Sequence, residues 1–154
     1  MQQSPELERL EQILKSHKFS GPGFLGEDQR SLAEILEADA AVLFELGTNC
    51  REVAARMEEI TGTARAGLET TVRISPELEV RIIESRGMIP CPWPHPGRYG
   101  KAVTTAKRRD TGKTISWSDL NIHLIEKHGF FEGRGAFFRL DPRELVEIIF
   151  PAPD

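Results

Sequence analysis

Residues 70–87 read TTVRISPELEVRIIESRG, and the spacing of apolar residues changes within them. Here β-branched residues alternate with polar ones on both sides of Ser75-Pro76, which predicts two strands joined by a turn. Before this stretch, apolar residues recur at the three- and four-residue spacing of amphipathic helices. A second hairpin is predicted in residues 101–118, with the Asp-Thr-Gly of residues 110–112 as its turn.

Three helices are predicted before the first hairpin. The first lies in residues 4–17, SPELERLEQILKSH, where a serine can cap the helix and a proline takes the first helical position. The second is expected from about residue 28 to residue 46, because Gly47 can end it. Asn49 and Glu52 form a capping pair that predicts the start of the third helix.

Two shorter helices are predicted near the C-terminus. Ser118 can cap a helix that Gly129 stops, and Asp141-Pro142 is a start signal for a helix through Ile149. The order of helices, strands and helices is typical of the α+β class. We therefore predict a helical N-terminal layer packed on small antiparallel β-hairpins, with two short C-terminal helices.

The chain length of 154 residues is sufficient for one domain with a sizeable core. We expect a single domain over residues 1–154, with a helical lobe at about 1–68 and a mixed β/α lobe at about 69–150. The N-terminal sequence MQQSPELERL has neither the basic nor the apolar region of a secretory signal, so we expect a cytoplasmic protein without a membrane segment. Cys50 and Cys91 form no CxxC pair and are expected to be free thiols.

Charge is distributed unevenly along a chain whose net charge is −4. Residues 98–139 carry nine Lys and Arg against four Asp and Glu, which predicts an anionic partner such as nucleic acid or another polyanion. Tyr99 or Trp117 could stack on a base. The alternative is that the same cations pair with acidic side chains of this chain. The predicted anion-binding residues are Arg98, Lys101, Lys107, Arg108, Arg109, Lys113, Arg134 and Arg139.

Residues 91–97, CPWPHPG, raise the question of a metal site. Cys91 and His95, followed after 27 residues by His123 and His128, have the ligand types of a tetrahedral zinc site. The alternative is a loop that its prolines stiffen without a metal. We prefer the loop, because residues five apart on a regular helix point about 140° away from each other. Both histidines could then bind one zinc only if the helix end loosened near Gly129.

A thiol-dependent enzyme is a further alternative. Cys91 would be the nucleophile, His123 or His128 the base, and Asp119 or Asn121 the group that orients the base. No glycine-flanked nucleophile turn surrounds Cys91, so we favour a protein without enzymatic activity.

Residues 45–57, ELGTNCREVAARM, resemble the helix-turn-helix pattern of DNA-binding proteins, with a glycine between two helices and apolar Val53 and Met57 after it. The resemblance implies a second helix that enters a major groove through Arg51 and Arg56. A plain helical hairpin explains the same residues, and we prefer it because three glutamates share the outer face.

Residues 130–140, FFEGRGAFFRL, place Arg134 between two glycines and between two pairs of phenylalanines. The Gly-Arg-Gly segment could bind a carboxylate or phosphate. The preferred interpretation is that the four phenylalanines anchor the core and that the glycines turn the chain.

The sequence thus predicts a small cytoplasmic, non-enzymatic binding protein whose basic C-terminal module engages nucleic acid or another polyanion. That function needs no cofactor. The two alternatives are a zinc-binding domain that uses Cys91 and the histidines, and a small thiol-dependent enzyme.

Overall fold

The computed structural model describes residues 3–15 and 23–151 of the chain, and within them five helices and six strands form an α+β fold. The helices are α1 (Pro5–Leu14), α2 (Leu32–Glu45), α3 (Cys50–Ala66), α4 (Asp119–His128) and α5 (Pro142–Ile149). The strands are β1 (Val72–Ser75), β2 (Leu78–Ile83), β3 (Met88–Pro90), β4 (Arg98–Gly100), β5 (Val103–Arg108) and β6 (Thr114–Ser118). The fold class predicted from the sequence is confirmed.

The two predicted hairpins join into one antiparallel sheet with the strand order β1-β2-β5-β6. In the central pair, Val80 of β2 lies opposite Ala106 of β5. Side chains of β2 alternate between the two faces, so that Leu78, Val80 and Ile82 are buried. The remaining strands, β3 and β4, form a separate two-stranded sheet that the sequence pattern did not predict.

The buried side chains form two hydrophobic cores. The first core lies between α3, α5 and the four-stranded sheet and contains Met57, Ile82 and Trp117. The indole nitrogen of Trp117 donates a buried hydrogen bond of 2.8 Å to the hydroxyl of Thr61. The second core packs α1 and α2 against α4 and the β3–β4 region; its buried members are Leu10, Leu14, Phe24, Leu25, Leu32, Ile35, Cys91, Leu120, Leu124 and Phe130.

Helix α4 contributes side chains to both cores. Ile122 and Ile125 belong to the first core, whereas Leu120 and Leu124 belong to the second. Its N-cap is Ser118, as predicted, and Gly129 ends it in the left-handed conformation with φ of +63°. Packing of apolar side chains on two sides therefore fixes the position of this helix in the fold.

Helix α2 begins later than its apolar pattern suggested. The predicted start at residue 28 is wrong because Ser31 and Glu34 form a capping box, so the helix starts at Leu32. Asp28 instead accepts hydrogen bonds from the guanidinium of Arg30 and the backbone N–H of Arg134. The predicted end is confirmed, since Gly47 has a φ of +76° just after the helix.

The predicted N-caps of the other three helices are present. Ser4, Asn49 and Asp141 cap α1, α3 and α5 as expected. Residues 16–17 of the first predicted helix and residues 21–22 of the loop GPGFLG lie outside the described residues. Among the described residues, no helix combines the length and the apolar character required to cross a membrane.

The expectation that all four phenylalanines of residues 130–140 anchor the core is wrong for one of them. Phe130 and Phe131 are buried, but the side chain of Phe137 is 74% exposed. The chain turns at Gly135, which has a φ of +90°, and this turn carries Phe137 to the surface.

Candidate metal centre

Four side chains from two parts of the chain meet at the surface of the second core. Cys91 directly follows β3, and His95 lies in the loop that leads to β4. His123 and His128 both project from α4. One possible ligand atom from each of these residues lies within 4.8 Å of the other three.

The closest contacts in this cluster connect the four residues in series. The Nε2 atoms of His123 and His95 are 3.2 Å apart, and those of His95 and His128 are 3.1 Å apart. The Sγ atom of Cys91 lies 3.5 Å from the Nε2 of His128. The three histidines therefore present the same ring nitrogen to one shared space.

Hydrogen bonds alone cannot satisfy all three contacts. A ring nitrogen carries either one proton or one lone pair in the ring plane, so it takes part in one ordinary hydrogen bond. The Nε2 atoms of His95 and His128 each take part in two of the contacts. At most two of the three contacts can therefore be hydrogen bonds, and the remaining pair would face each other without a shared proton.

The separations agree with those of ligands on a tetrahedral zinc ion. With zinc–nitrogen and zinc–sulfur bonds of about 2.05 and 2.3 Å, two nitrogen ligands lie about 3.3 Å apart, and sulfur and nitrogen lie about 3.6 Å apart. The corresponding distances here are 3.1 and 3.2 Å for nitrogen pairs and 3.5 Å for the thiol. The residues therefore fit this metal in ligand type and in the spacing of these three pairs, and all four ligand atoms lie within 4.8 Å of one another.

The ring of His95 is oriented by a backbone carbonyl. Its Nδ1 lies 2.8 Å from the carbonyl oxygen of Pro96, and a carbonyl can only accept. The proton of the neutral imidazole must then be on Nδ1, which leaves the Nε2 lone pair directed at the other ligands. A hydrogen bond of this kind is the usual second contact of a metal-bound histidine.

Aromatic rings enclose the two histidines of α4. Trp93 stacks on His128 with ring centroids 4.2 Å apart, and Tyr99 stacks on His123 at 4.1 Å. Burial lowers the pKa of His128 to about 4, and it also lowers the pKa of His123. Both imidazoles are therefore neutral near pH 7, which is the protonation state that binds a metal.

Cys91 is only 6% exposed and belongs to the second core. Burial raises the pKa of its thiol, because the low-polarity surroundings disfavour the thiolate. A metal cation at the centre of the cluster would reverse this effect, since a coordinated thiol is deprotonated. Without the cation, Cys91 lacks the lowered pKa of a reactive nucleophile.

The structure removes the objection that His123 and His128 point away from each other on a regular helix. We expected that α4 would have to loosen near Gly129, but the helix continues through His128 and ends in an ordinary left-handed cap. His95 lies between the two helix histidines, at centroid distances of 5.0 Å from His123 and 5.2 Å from His128. The two side chains thus approach the same loop residue from different directions.

The residues proposed to orient a catalytic base have other partners. The carboxylate of Asp119 accepts from Arg65 at 3.4 Å. The side chain of Asn121 bonds Ser118 and Glu132. Neither residue is hydrogen-bonded to His123 or His128 among the described contacts, so these contacts do not show the oriented base of that hypothesis.

Half of the predicted anion-binding residues form intramolecular ion pairs. Four cations have acidic partners: Arg108 with Asp110, Arg109 with Glu79, Lys113 with Glu147, and Arg139 with Asp39. The other four have no ion-pair partner among the described residues: Arg98, Lys101, Lys107 and Arg134. Nucleic-acid binding stays a prediction.

The helix-turn-helix resemblance also stays untested. Val53 and Met57 are buried, as either interpretation requires. Arg56, however, donates to the carbonyl of Ile149 at 2.8 Å and pairs with Glu59. Its guanidinium is therefore engaged with the end of α5.

Comparisons of the chain with protein-family models, with curated protein sequences and with solved structures found no match. The fold and the site define an α+β protein with a candidate Cys-His₃ metal centre.

Sequence reasoning identified the four candidate ligands but did not place two aromatic side chains beside them, and it missed a buried carboxyl elsewhere in the fold. Trp93 and Tyr99 flank the ligand histidines, and Glu132 is a buried carboxyl on the segment after α4. The tryptophan inside CPWPHPG was a usable signal, because an aromatic ring between two ligands is well placed to cover one of them. Glu132 gave no such signal, since a glutamate near glycines is usually exposed.

Proposed function

We propose that this protein binds one zinc ion through Cys91, His95, His123 and His128, and that the ion has a structural role. The observation that carries the proposal is the convergence of three Nε2 atoms and one thiol sulfur, which all lie within 4.8 Å of one another and whose three closest contacts are 3.1–3.5 Å. A single cation satisfies all these atoms at once, whereas hydrogen bonds among them leave one contact without a proton.

Zinc is the metal that suits this ligand set best. Imidazole and thiolate are its preferred ligands in proteins, and four-coordinate tetrahedral geometry is its usual arrangement in structural sites. Harder cations such as magnesium and calcium prefer oxygen ligands, which are absent from the cluster. Because four protein ligands complete the tetrahedron, no position is left for a substrate or a reactive water.

The proposed role is to hold the loop between β3 and β4 on α4. The two-stranded sheet is short, with three residues in each strand, and such a sheet is marginal by itself. Two ligands come from its loop and two from the helix, so the ion would cross-link segments that are 28 to 37 residues apart. The metal would thereby complete the second core around Cys91.

The test is elemental analysis of protein purified without an affinity tag or chelator. We expect about one zinc per chain. Replacement Cys91→Ser or His128→Ala should remove the zinc and lower the unfolding temperature. The matched control is Cys50→Ser, which deletes the other free thiol and should leave the zinc content unchanged.

A second variant separates ligand loss from a general disturbance of the loop. His95→Cys keeps a zinc ligand at the same position and should retain metal, whereas His95→Ala should not. Metal-free protein that unfolds cooperatively at the same temperature with and without added zinc would overturn the proposal.

A further inference from the structure

The protein has a cavity of about 360 Å³, and none of the four candidate metal ligands is among its lining residues. Its apolar wall includes Phe24, Ile89, Leu120 and Phe138, and the exposed ring of Phe137 lies at its edge. A volume of this size is at the lower end of the range for small-molecule sites. One polar group that lines this cavity is buried.

That group is the carboxyl of Glu132, which lines the cavity although the residue is only 3% exposed. One of its oxygens, Oε2, accepts a buried hydrogen bond of 2.8 Å from the side-chain amide of Asn121. Asn121 is itself held by Ser118, whose backbone N–H donates to its oxygen at 2.9 Å. The orientation of the carboxyl is therefore determined by the start of α4.

The second oxygen of Glu132, Oε1, belongs to a side chain that lines the cavity. No donor among the described residues lies within hydrogen-bonding distance of Oε1. Yet among those residues every fully buried side-chain oxygen and nitrogen has a partner. With no donor among the described residues, Oε1 is assigned to the cavity, which is the opening that Glu132 lines.

The backbone at Glu132 is also unusual. Its φ is +66°, a conformation that glycine adopts readily and that costs other residues about 1 kcal/mol or more. The guanidinium of Arg139 donates to the carbonyl oxygen of Glu132 at 2.8 Å. The backbone N–H of the next residue, Gly133, donates to the carbonyl oxygen of Phe24 at 2.8 Å. The fold thus holds a glutamate where both its backbone and its burial are unfavourable.

We propose that this cavity is a binding site for a small organic amine, with the ammonium group on the carboxylate of Glu132 and the apolar body against the phenylalanine rings. A carboxylate in an apolar cavity is best complemented by a cation that forms a hydrogen bond with it. The faces of phenylalanine rings also attract cations. An uncharged apolar ligand would leave the carboxyl unsatisfied, and an anionic ligand would be repelled by it.

Other charged groups near Glu132 are compatible with this assignment. Arg139 is paired with Asp39, at 2.6 Å, and so its charge is already compensated. Lys101 lines the cavity from an exposed position, and its charge is therefore screened by solvent. Burial raises the pKa of Glu132 to about 7. The affinity for an amine should consequently increase between pH 6 and pH 8 as the carboxyl ionises, while an alkylamine remains cationic.

The test is isothermal titration calorimetry of the protein as purified, at pH 8, with three ligands of one shape: 2-phenylethylamine, 2-phenylethanol and phenylacetate. We expect the amine to bind at least tenfold more tightly than the alcohol, and the carboxylate not to bind. Glu132→Gln should reduce amine binding to the level of the alcohol. The matched control Glu58→Gln removes an exposed carboxylate of α3 and should change nothing.

A second variant tests the apolar part of the site. Phe137 is exposed, so Phe137→Ala should leave the fold intact and weaken amine binding by about twofold to fivefold. Equal affinity for amine and alcohol, no amine binding at millimolar concentration, or unchanged amine binding in Glu132→Gln would overturn the proposal. Because the cavity contains no metal ligand, a failure here would leave the zinc proposal untouched, and the reverse also holds.

Discussion

The indole of Trp93 lies flat on the imidazole of His128, with ring centroids 4.2 Å apart and an angle of 12° between the ring planes. The indole also meets the second core, where its centroid is 5.3 Å from that of Phe130. Trp93 thus connects a candidate ligand to buried apolar side chains. It restricts the orientation of the His128 ring without being a ligand itself.

We therefore expect Trp93→Ala to weaken zinc binding by about tenfold, because His128 would no longer be held in the orientation that binds the ion. Trp93→Phe retains a flat ring and should restore most of the affinity. Competition with a chromophoric chelator measures both variants. Equal affinity in Trp93→Ala and the unaltered protein would show that the stacking does not position the ligand.

The thiol of Cys91 provides a second prediction. Its pKa is raised by burial, so in metal-free protein near pH 7 it should react with iodoacetamide no faster than an ordinary thiol. Zinc should slow the reaction further, because the sulfur would be coordinated. Peptide mapping by mass spectrometry gives the rate for Cys91, with Cys50 as the internal control. A Cys91 that reacts much faster than Cys50 would favour the thiol-enzyme hypothesis instead.

Glu132 should make the stability of the protein depend on pH. Its pKa is raised from 4.5 to about 7 in the folded state, mainly by burial, so between these pH values the folded chain binds more protons than the unfolded chain. The contribution of Glu132 to stability is therefore greatest at low pH and declines as the pH rises towards 7. The full change for a shift of this size is about 3 kcal/mol.

Glu132→Gln has no titrating group at this position and should remove that decline. We expect the variant to equal the unaltered protein in stability near pH 4.5 and to exceed it by up to about 3 kcal/mol near pH 8. Urea unfolding at a series of pH values measures the difference. A difference between the two proteins that does not change with pH would show that Glu132 ionises normally.

The ion pair between Arg139 and Asp39 joins α2 to the segment after α4. Two hydrogen bonds, of 2.6 and 3.0 Å, connect the two side chains, and both are largely buried. Arg139→Met should destabilise the fold by about 3–5 kcal/mol, because Asp39 would remain buried without its partner. The control Arg143→Met removes the exposed pair of Arg143 with Glu45 and should cost at most about 1 kcal/mol.

Denaturant unfolding of both arginine variants, together with the double variant Asp39→Leu/Arg139→Met, tests this explanation. The double variant should regain much of the stability, since it removes the unpaired charge. Equal losses in Arg139→Met and Arg143→Met would indicate that the buried pair contributes no more than a surface pair.

Binding of a polyanion, if it occurs, should depend most on the cations without ion-pair partners among the described residues. Lys107→Gln should weaken the binding of single-stranded RNA and lower the slope of log K against log salt by about one unit per lost phosphate contact. Lys113, which pairs with Glu147 at 3.2 Å, supplies the matched control Lys113→Gln. Filter binding at several salt concentrations measures both. Retention of no RNA at low salt would contradict the nucleic-acid hypothesis.

The local elements of this fold follow from the sequence alone. Ser4, Asn49 and Ser118 cap helices at the predicted positions, and both predicted hairpins are present. These features depend on residues within a few positions of each other, where backbone preference and the spacing of apolar side chains act directly. The ligand types of the metal centre were recognisable for the same reason, because the spacing of Cys91 and His95 is local.

Only the tertiary structure decided whether those ligands meet. His123 and His95 are 28 residues apart, and their 3.2 Å separation depends on the packing of α4 between two cores. The partners of Arg139 and the burial of Glu132 were decided in the same way, since Asp39 lies 100 residues from Arg139. Contacts of this kind are set by how apolar faces pack across the whole chain, and no short stretch of sequence contains that information.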